Sequence, residues 1–391
     1  MLTRDSPDRV PPRPFPTYDE LSYEDCLTNH LLPNTPFLLS SKTTATWPCT
    51  AWRLPHTEAG PSRPNLDALR KYGRHVVPVA NTLQREFSEF ERDEQALSEV
   101  LDLWAGGKGE GLYVKDWHIF EEIEKEGGAA VSVYTVPKCL RDDWLNPPFD
   151  EGARSHAHSP ETIDNTLGDF RFCYLGPRGT FTPLHRDVYG SYSWSANVVG
   201  RKLWWFFPPD QLERVKDSRG ELVFDVREME EEGGGIKVVQ EEGEVIFVPS
   251  GWHHQVVNLD FCISINHNFF SSPTLPRVFD AMVAAQHRVE ESIADILPMI
   301  KQRLGEGGPW REEWVEEVQA LLERDAGWGW RGFWKTVRRN VKNPPGGIYS
   351  PPTSMRNEVV ASVIARYKQL QEWDILHDAR EDVLQVERCV A

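Results

Sequence analysis

Between Phe170 and Phe270 the chain breaks into short apolar runs separated by Gly and Pro turns, with no helical pattern between them. The runs are FRFCYLG, SWSANVVG, KLWWFFPP, IKVVQEEGEVIFVPSG, HQVVNL and CISINHNFF. Runs of this length bounded by turn residues read as strands. Strands that follow one another without intervening helices suggest a β-sandwich or barrel.

The flanks read differently. Residues 1–64 are rich in Pro, Ser and Thr and suggest an extended N-terminal arm, with a short helix around Tyr18 to Asn29. From Asn65, NLDALRKYG suggests a helix stopped by Gly73, HVVPVAN a short strand, Ser88 to Trp104 a charged helix, and GAAVSVYTVP another strand. After Ser271 the pattern turns helical: Phe279, Met282, Val283, Val289, Ile293 and Ile296 recur at helical spacing around a polar Gln286. Two further stripes follow, Trp314 to Leu322 and Val359 to Leu370, which are most simply packing faces. The expected organisation is therefore an arm at 1–64, a β core with leading helices at 65–273, and a helical region at 274–391.

Composition limits the partners. A formal net charge of −17 over 391 residues lacks the clustered Lys and Arg that phosphate neutralisation needs, so direct nucleic-acid binding is not expected and a basic protein partner suits the chain better. The six cysteines are scattered without a CxxC pair and read as reduced thiols. The stretch MLTRDSPDRVPPRPFPTYDE has no apolar signal core, and no window approaches the roughly 18 apolar residues of a membrane span. Cys389 stands third from the end, where a prenylation signal needs the fourth. An intracellular protein is expected, cytoplasmic first and nuclear second.

The chemistry-bearing segment is GTFTPLHRDVYGSYSWSANVVGRKLWWFFPP, residues 179–209. In a strand His185 and Asp187 leave the same face and can converge on one ion. A third ligand candidate stands in FVPSGWHHQVV, where His253 and His254 are adjacent. Two His and one carboxylate on one face of a metal form the facial triad of non-haem Fe(II) oxygenases, which leaves positions open for cosubstrate and oxygen. If His254 faces the metal, Val256 shares its face while His253 and Gln255 point away; one residue of slip inverts this.

HRD followed by GRKLWWFFPP, then EEGEVIFVPSGWHHQVVNL and ISINHNFF, resembles the Jumonji C (JmjC) group of Fe(II)- and 2-oxoglutarate-dependent oxygenases. The run SYSWSANVVGRKLWW with VPSGWHHQVVNLDFCISINHNFF is most similar to the branch that hydroxylates a lysine of the eukaryotic translation termination (release) factor. The resemblance implies a mainly β fold with α elements: a double-stranded β-helix, or cupin-like jelly roll, with N-terminal α/β elements and a helical C-terminal region. It implies Fe(II), 2-oxoglutarate and O2 as cofactors and cosubstrates. It places His185, Asp187 and, through the pattern GWxHxV, His254 on the metal.

The same likeness gives Lys202, on the strand after the HxD motif, the distal carboxylate of 2-oxoglutarate, with Thr182 and Tyr113 as hydroxyl donors to it. It sets Asn266 as a polar contact to cosubstrate, with Asn197 a further candidate. Tyr174, Tyr189 and Trp194 flank the motif as candidate walls of the substrate channel; core packing is their plain alternative. Glu228 and Glu230 to Glu232 are candidates for an acidic wall that receives a lysine, or else a solvated loop. His156 and His158 read as a solvated loop. The implied reaction is protein lysyl hydroxylation. The same-chemistry alternative is methyl-lysine demethylation, and the alternative of another class is a catalytically silent cupin that acts as a binding module.

Overall fold

The computed structural model describes residues 13–54, 62–86, 89–146, 168–305 and 307–391. In chain order the strands are β1 (Thr17–Tyr18), β2 (Phe37–Leu39), β3 (Arg53–Leu54), β4 (Arg63–Pro64), β5 (Val76–Glu86), β6 (Glu89–Ala96), β7 (Leu112–Trp117) and β8 (Arg171–Gly176). They continue with β9 (Phe181–Arg186), β10 (Tyr192–Val199), β11 (Lys202–Phe207), β12 (Ile236–Gln240), β13 (Val245–Val248), β14 (His253–Asn258) and β15 (Cys262–Phe269).

Among the described residues, the strands form a nine-stranded sheet in the order β1-β2-β13-β10-β15-β8-β7-β5-β6, and a four-stranded sheet in the order β12-β11-β14-β9. From β8 to β15 the chain passes repeatedly between the two sheets, and every pairing among these eight strands is antiparallel. This is the double-stranded β-helix expected from the sequence. The passage from β10 to β11 turns at Gly200, where φ is 74° and a Cβ would stand 2.3 Å from the Phe261 carbonyl oxygen, so only glycine fits.

Apolar residues divide the molecule into layers. The outer face of the large sheet packs with the leading helices and the N-terminal strands into one core that includes Trp47, Trp117, Tyr134 and Trp194. Between the sheets, on the β12 and β13 side, Phe15, Trp204, Phe206, Val238, Ile246, Val248 and Val256 fill the interior. The long connection after β11 lies on the outer face of the small sheet, where Val215 and Val226 pack on Phe181, Trp205 and Val257. The interior opposite the apolar plug stays polar, and there the candidate residues gather.

The C-terminal stripes pack as helices Leu275–Ser292, Trp310–Ala326 and Thr353–Tyr367, joined by Trp330–Lys342 and His377–Val390. Gln286, the polar break in the first stripe, is buried and satisfied: its amide donates to Glu372 at 2.7 Å and accepts from the Trp330 indole at 2.6 Å. The residues of the N-terminal arm add β1 and β2 to the large sheet through β13.

Two local expectations fail for physical reasons. Glu89–Ala96 is a strand, not part of a helix from Ser88 to Trp104; the helix starts only at Leu97. Its Glu-rich composition favours helix in isolation, but pairing with β5 overrides it, and the charges suit an edge strand that must resist further pairing. The stretch GAAVSVYTVP is no strand: it forms a 3-10 turn at Ala130–Ser132 and irregular chain. Its β-branched residues signalled burial, since Val133, Tyr134 and Val136 are in the core. The helix expected at Tyr18 to Asn29 is shorter and later, an α-turn at Tyr23–Cys26 continued by a π-turn to Leu31. No helix among the described residues is long and apolar enough to cross a membrane.

Candidate metal and cosubstrate site

Strands β9 and β14 are neighbours in the small sheet, and their register sets His254 opposite His185. The next pair is Val256 with Thr182, so two residues of β9 face one of β14 and the strand is bulged at Pro183 and Leu184. Three residues apart, Thr182 and His185 would face opposite ways in a regular strand; the bulge turns both inward. Asp187 follows the strand end in extended backbone. One ligand atom from each of His185, Asp187 and His254 lies within 4.8 Å of the other two.

Each side chain of this trio is held from behind. His185 Nδ1 lies 2.8 Å from the Pro183 carbonyl and His254 Nδ1 3.4 Å from that of Trp252. A ring that donates Nδ1–H to a carbonyl leaves its Nε2 lone pair free for a metal. Burial, then the charge of the other histidine, pushes the His185 pKa down to about 3, and burial also lowers that of His254. Both rings are therefore neutral, the form that binds a metal. Asp187 accepts from Ser193 Oγ at 2.7 Å on one carboxylate oxygen and from the Asn268 amide at 2.9 Å on the other.

A cavity between the sheets is lined by these three residues together with Tyr113, Tyr174, Thr182, Lys202, Asn266 and their neighbours. Lys202 is fully buried; its ammonium donates to Ser264 Oγ at 2.9 Å and lies 5.9 Å from the centre of the Tyr174 ring. Among the described residues no carboxylate pairs with it, and burial brings its pKa down to about 8. The Tyr113 hydroxyl lies beside Thr182, and burial raises its pKa. Tyr113 can come this close because its neighbour is Gly176, where a Cβ would meet the tyrosine ring at 2.5 Å.

The remaining candidates divide. His253 is nearly buried and faces away from the cavity with Gln255, as the alternation with His254 and Val256 requires. Burial, then the charge of Arg186, lowers its pKa to about 4. Tyr174 lines the cavity, whereas Trp194 does not: it points to the opposite face of the large sheet and stacks on His267, with ring centres 4.2 Å apart. Tyr189 lies outside the lining as well, in a turn at φ 58°, packed on Trp328 and Phe170.

Asn197 is not a cavity residue. Its amide donates to the Gln240 carbonyl at 3.2 Å and ties the two sheets together. Glu228 and Glu230 to Glu232 form no wall to the cavity; Glu232 pairs with Lys237 and accepts from the Trp205 indole at 2.7 Å, on the other side of the small sheet. His156 and His158 lie outside the described residues.

Sequence reasoning passed over a polar ladder. On adjacent strands, Ser193 pairs with Asn268, Ser195 with Asn266 and Asn197 with Ser264. The Ser195 hydroxyl donates to Asn266 Oδ1 at 3.0 Å. The signal was legible as alternation, S-x-S-x-N on β10 and S-x-N-x-N on β15.

A model of the JmjC domain, described as a hydroxylase, matches residues 172–269. A human protein named 2-oxoglutarate and iron-dependent oxygenase JMJD4 is 33% identical over 339 residues, which is 81% of this chain and 73% of that protein. The mouse protein of the same name is 36% identical over 299 residues, 70% of this chain and 65% of its own length. An Arabidopsis thaliana protein named arginine-specific demethylase JMJ20 is 38% identical over 295 residues, 71% of this chain and 61% of its length.

This chain belongs to the JmjC family of 2-oxoglutarate- and iron-dependent oxygenases. The site of this oxygenase fits both groups that the family uses. Two neutral imidazoles and a doubly hydrogen-bonded carboxylate suit a divalent iron. A buried ammonium without an acidic partner suits an anion.

Proposed function

We propose that this oxygenase hydroxylates a lysine side chain of a protein, and that the protein is the translation termination (release) factor. In this reading His185, Asp187 and His254 hold the iron. Lys202 takes the distal carboxylate of 2-oxoglutarate with Thr182 and Tyr113 beside it, and Asn266 contacts the cosubstrate. Iron bound with 2-oxoglutarate and O2 supplies the oxidation, in which one oxygen atom enters a substrate C–H bond and the other enters succinate as CO2 leaves.

The chain's own residues prepare that chemistry. Ser193 and Asn268 fix both oxygens of Asp187, and the carbonyls of Pro183 and Trp252 fix the two rings, so ligand orientation is set before any metal arrives. Trp204 and Val256 wall the same cavity with apolar surface and limit water there. The observation that carries the oxygenase reading is the meeting of this trio and the unpaired Lys202 in one cavity. The choice of a lysine in the release factor rests on the likeness of the two sequence blocks to that branch.

Demethylation is the second reading, favoured by the plant relative named a demethylase. Incubation with Fe(II), 2-oxoglutarate and purified release factor, followed by mass spectrometry of its peptides, separates the two. Hydroxylation leaves a lysine-containing peptide heavier by one oxygen. A methylated peptide made lighter by a methylene establishes demethylation instead, and an unmodified factor removes it as the substrate.

A further inference from the structure

Asp187 is the one member of the metal trio that no strand holds. It follows β9, whose last residue, Arg186, pairs with His253, and β10 starts only at Tyr192. The link between them crosses from the small sheet to the large one, so neither ladder fixes the Asp187 backbone. Ser193 and Asn268 hold its carboxylate, and the place of its main chain is left to the turn Val188–Gly190.

The helical region grips that turn. Tyr189 stands at φ 58° and ψ 9°, a left-handed conformation that is uncommon for a bulky L-residue. Such a conformation persists only where the surroundings over-determine it, and it concentrates at functional sites. Here the surroundings are rings: Tyr189 packs on Trp328, with centres 4.4 Å apart, and on Phe170 at 5.4 Å. Trp328 is buried in the core of the helical region. The next residue, Gly190, is also left-handed, at φ 61°, and a Cβ there would stand 3.2 Å from that of Ala281 on the helix Leu275–Ser292. From the other side Ser250 Oγ donates to the Gly190 carbonyl at 2.5 Å.

The tip of Tyr189 has no slack. Gly327 ends the helix Trp310–Ala326 in the left-handed region at φ 78°. A Cβ on Gly327 would stand 2.6 Å from the Tyr189 hydroxyl oxygen and 3.7 Å from the ring carbon that bears it. The first distance is a clash and the second an ordinary contact. Val188 is 47% exposed, so of the two side chains in the turn Tyr189 alone is anchored in apolar core.

We propose that Tyr189 is a positioning residue for the metal: through Trp328 the helical region fixes the turn, and with it the place of Asp187 relative to His185 and His254. The helical region is then part of the metal site although none of its residues lines the cavity. This rests on the assignment of the trio to the iron and is independent of which substrate is oxidised. If Tyr189 only packed, its loss would lower stability and leave the affinity for the ion alone.

Calorimetry with Mn(II) as the probe ion, alongside thermal unfolding of the metal-free protein, separates the two roles. Tyr189→Ala is expected to weaken Mn(II) binding about 10-fold, the lower end of the loss when a group that orients a metal ligand is removed. Tyr189→Phe keeps the ring against Trp328 and should retain most of the affinity. Gly327→Ala drives a methyl against the hydroxyl and should also weaken Mn(II), by less, while it lowers the unfolding temperature because alanine is strained at this φ. In the double variant Tyr189→Phe/Gly327→Ala the clash is gone and the strain stays. Its affinity should return to that of Tyr189→Phe while its unfolding temperature stays low.

Tyr189→Ala that binds Mn(II) like the wild type overturns the proposal, and so does a double variant as weak as Gly327→Ala. The Gly327 variants carry the test where Tyr189→Ala does not fold. Asp187→Ala tests the underlying assignment separately: it should lose more affinity than any of these variants, and wild-type Mn(II) binding by it would refute the ligand assignment itself.

Discussion

The two faces of the β10–β15 pair are built from the same backbone and do opposite things. On the outer face Tyr192, Trp194, Ala196 and Val198 with Ile263, Ile265 and Phe269 sit in the largest apolar core. On the inner face Ser193, Ser195 and Asn197 meet Asn268, Asn266 and Ser264, and this ladder supports Asp187 and Lys202. Strand alternation lets each strand contribute to stability through one face and to chemistry through the other. Apolar burial is worth about 25 cal/mol per Å², whereas buried polar groups only break even once they are satisfied. The outer face should therefore govern stability and the inner face binding, and substitutions can test that division.

The largest effect is expected on the cavity side of β14. His254→Ala should abolish iron-dependent succinate formation, while His253→Ala, one residue away and facing outward, should retain it. Retained turnover in His254→Ala, measured with Fe(II) and 2-oxoglutarate, would exchange the two assignments.

On the outer face, Trp194→Ala should cost about 3–5 kcal/mol of stability in denaturant unfolding, the range for a large aromatic lost from a core. The peptide KM of the folded protein should not change. A raised KM at unchanged stability would return Trp194 to the substrate channel.

The smallest and most diagnostic effect runs in the opposite direction. The Lys202 side chain has an ordinary pKa of 10.5 when unfolded and about 8 when folded. Below pH 8 both states hold the proton and the folded protein bears the full cost of a buried charge, up to about 3 kcal/mol. Between pH 8 and 10.5 the unfolded state binds more protons, so this cost fades as pH rises. Lys202→Met should therefore stabilise the ligand-free protein at pH 7, lose that advantage above pH 10.5, and bind 2-oxoglutarate poorly. Thermal unfolding across this range checks it; destabilisation at pH 7 would mean that the hydrogen bond to Ser264 and the packing of the Lys202 stem outweigh the cost of its buried charge.

Much of the site was legible because its signals are local. His185 and Asp187 share a face by strand period, Lys202 opens the strand after a glycine turn, and the GWHHQV run marks a third ligand position. Trp194 was misjudged because an aromatic near a motif reads the same on either face of a strand. The alternation S-x-S-x-N was present but is uninformative until a partner strand with the same period lies beside it. The acidic stretch Glu89–Glu94 misled because helix propensity is intrinsic to a segment, while pairing with β5 belongs to the whole chain.

By itself the sequence determined the class of fold and the metal-ligand pattern, which rest on residue type at a fixed spacing along one or two strands, and its family likeness singled out Lys202 as the candidate for the cosubstrate. Only the tertiary structure decided that His254 rather than His253 faces the cavity, and that Thr182 turns inward with His185. Each of these depends on a register or a bulge, and the offset of a single residue between two strands reverses which side chains point inward.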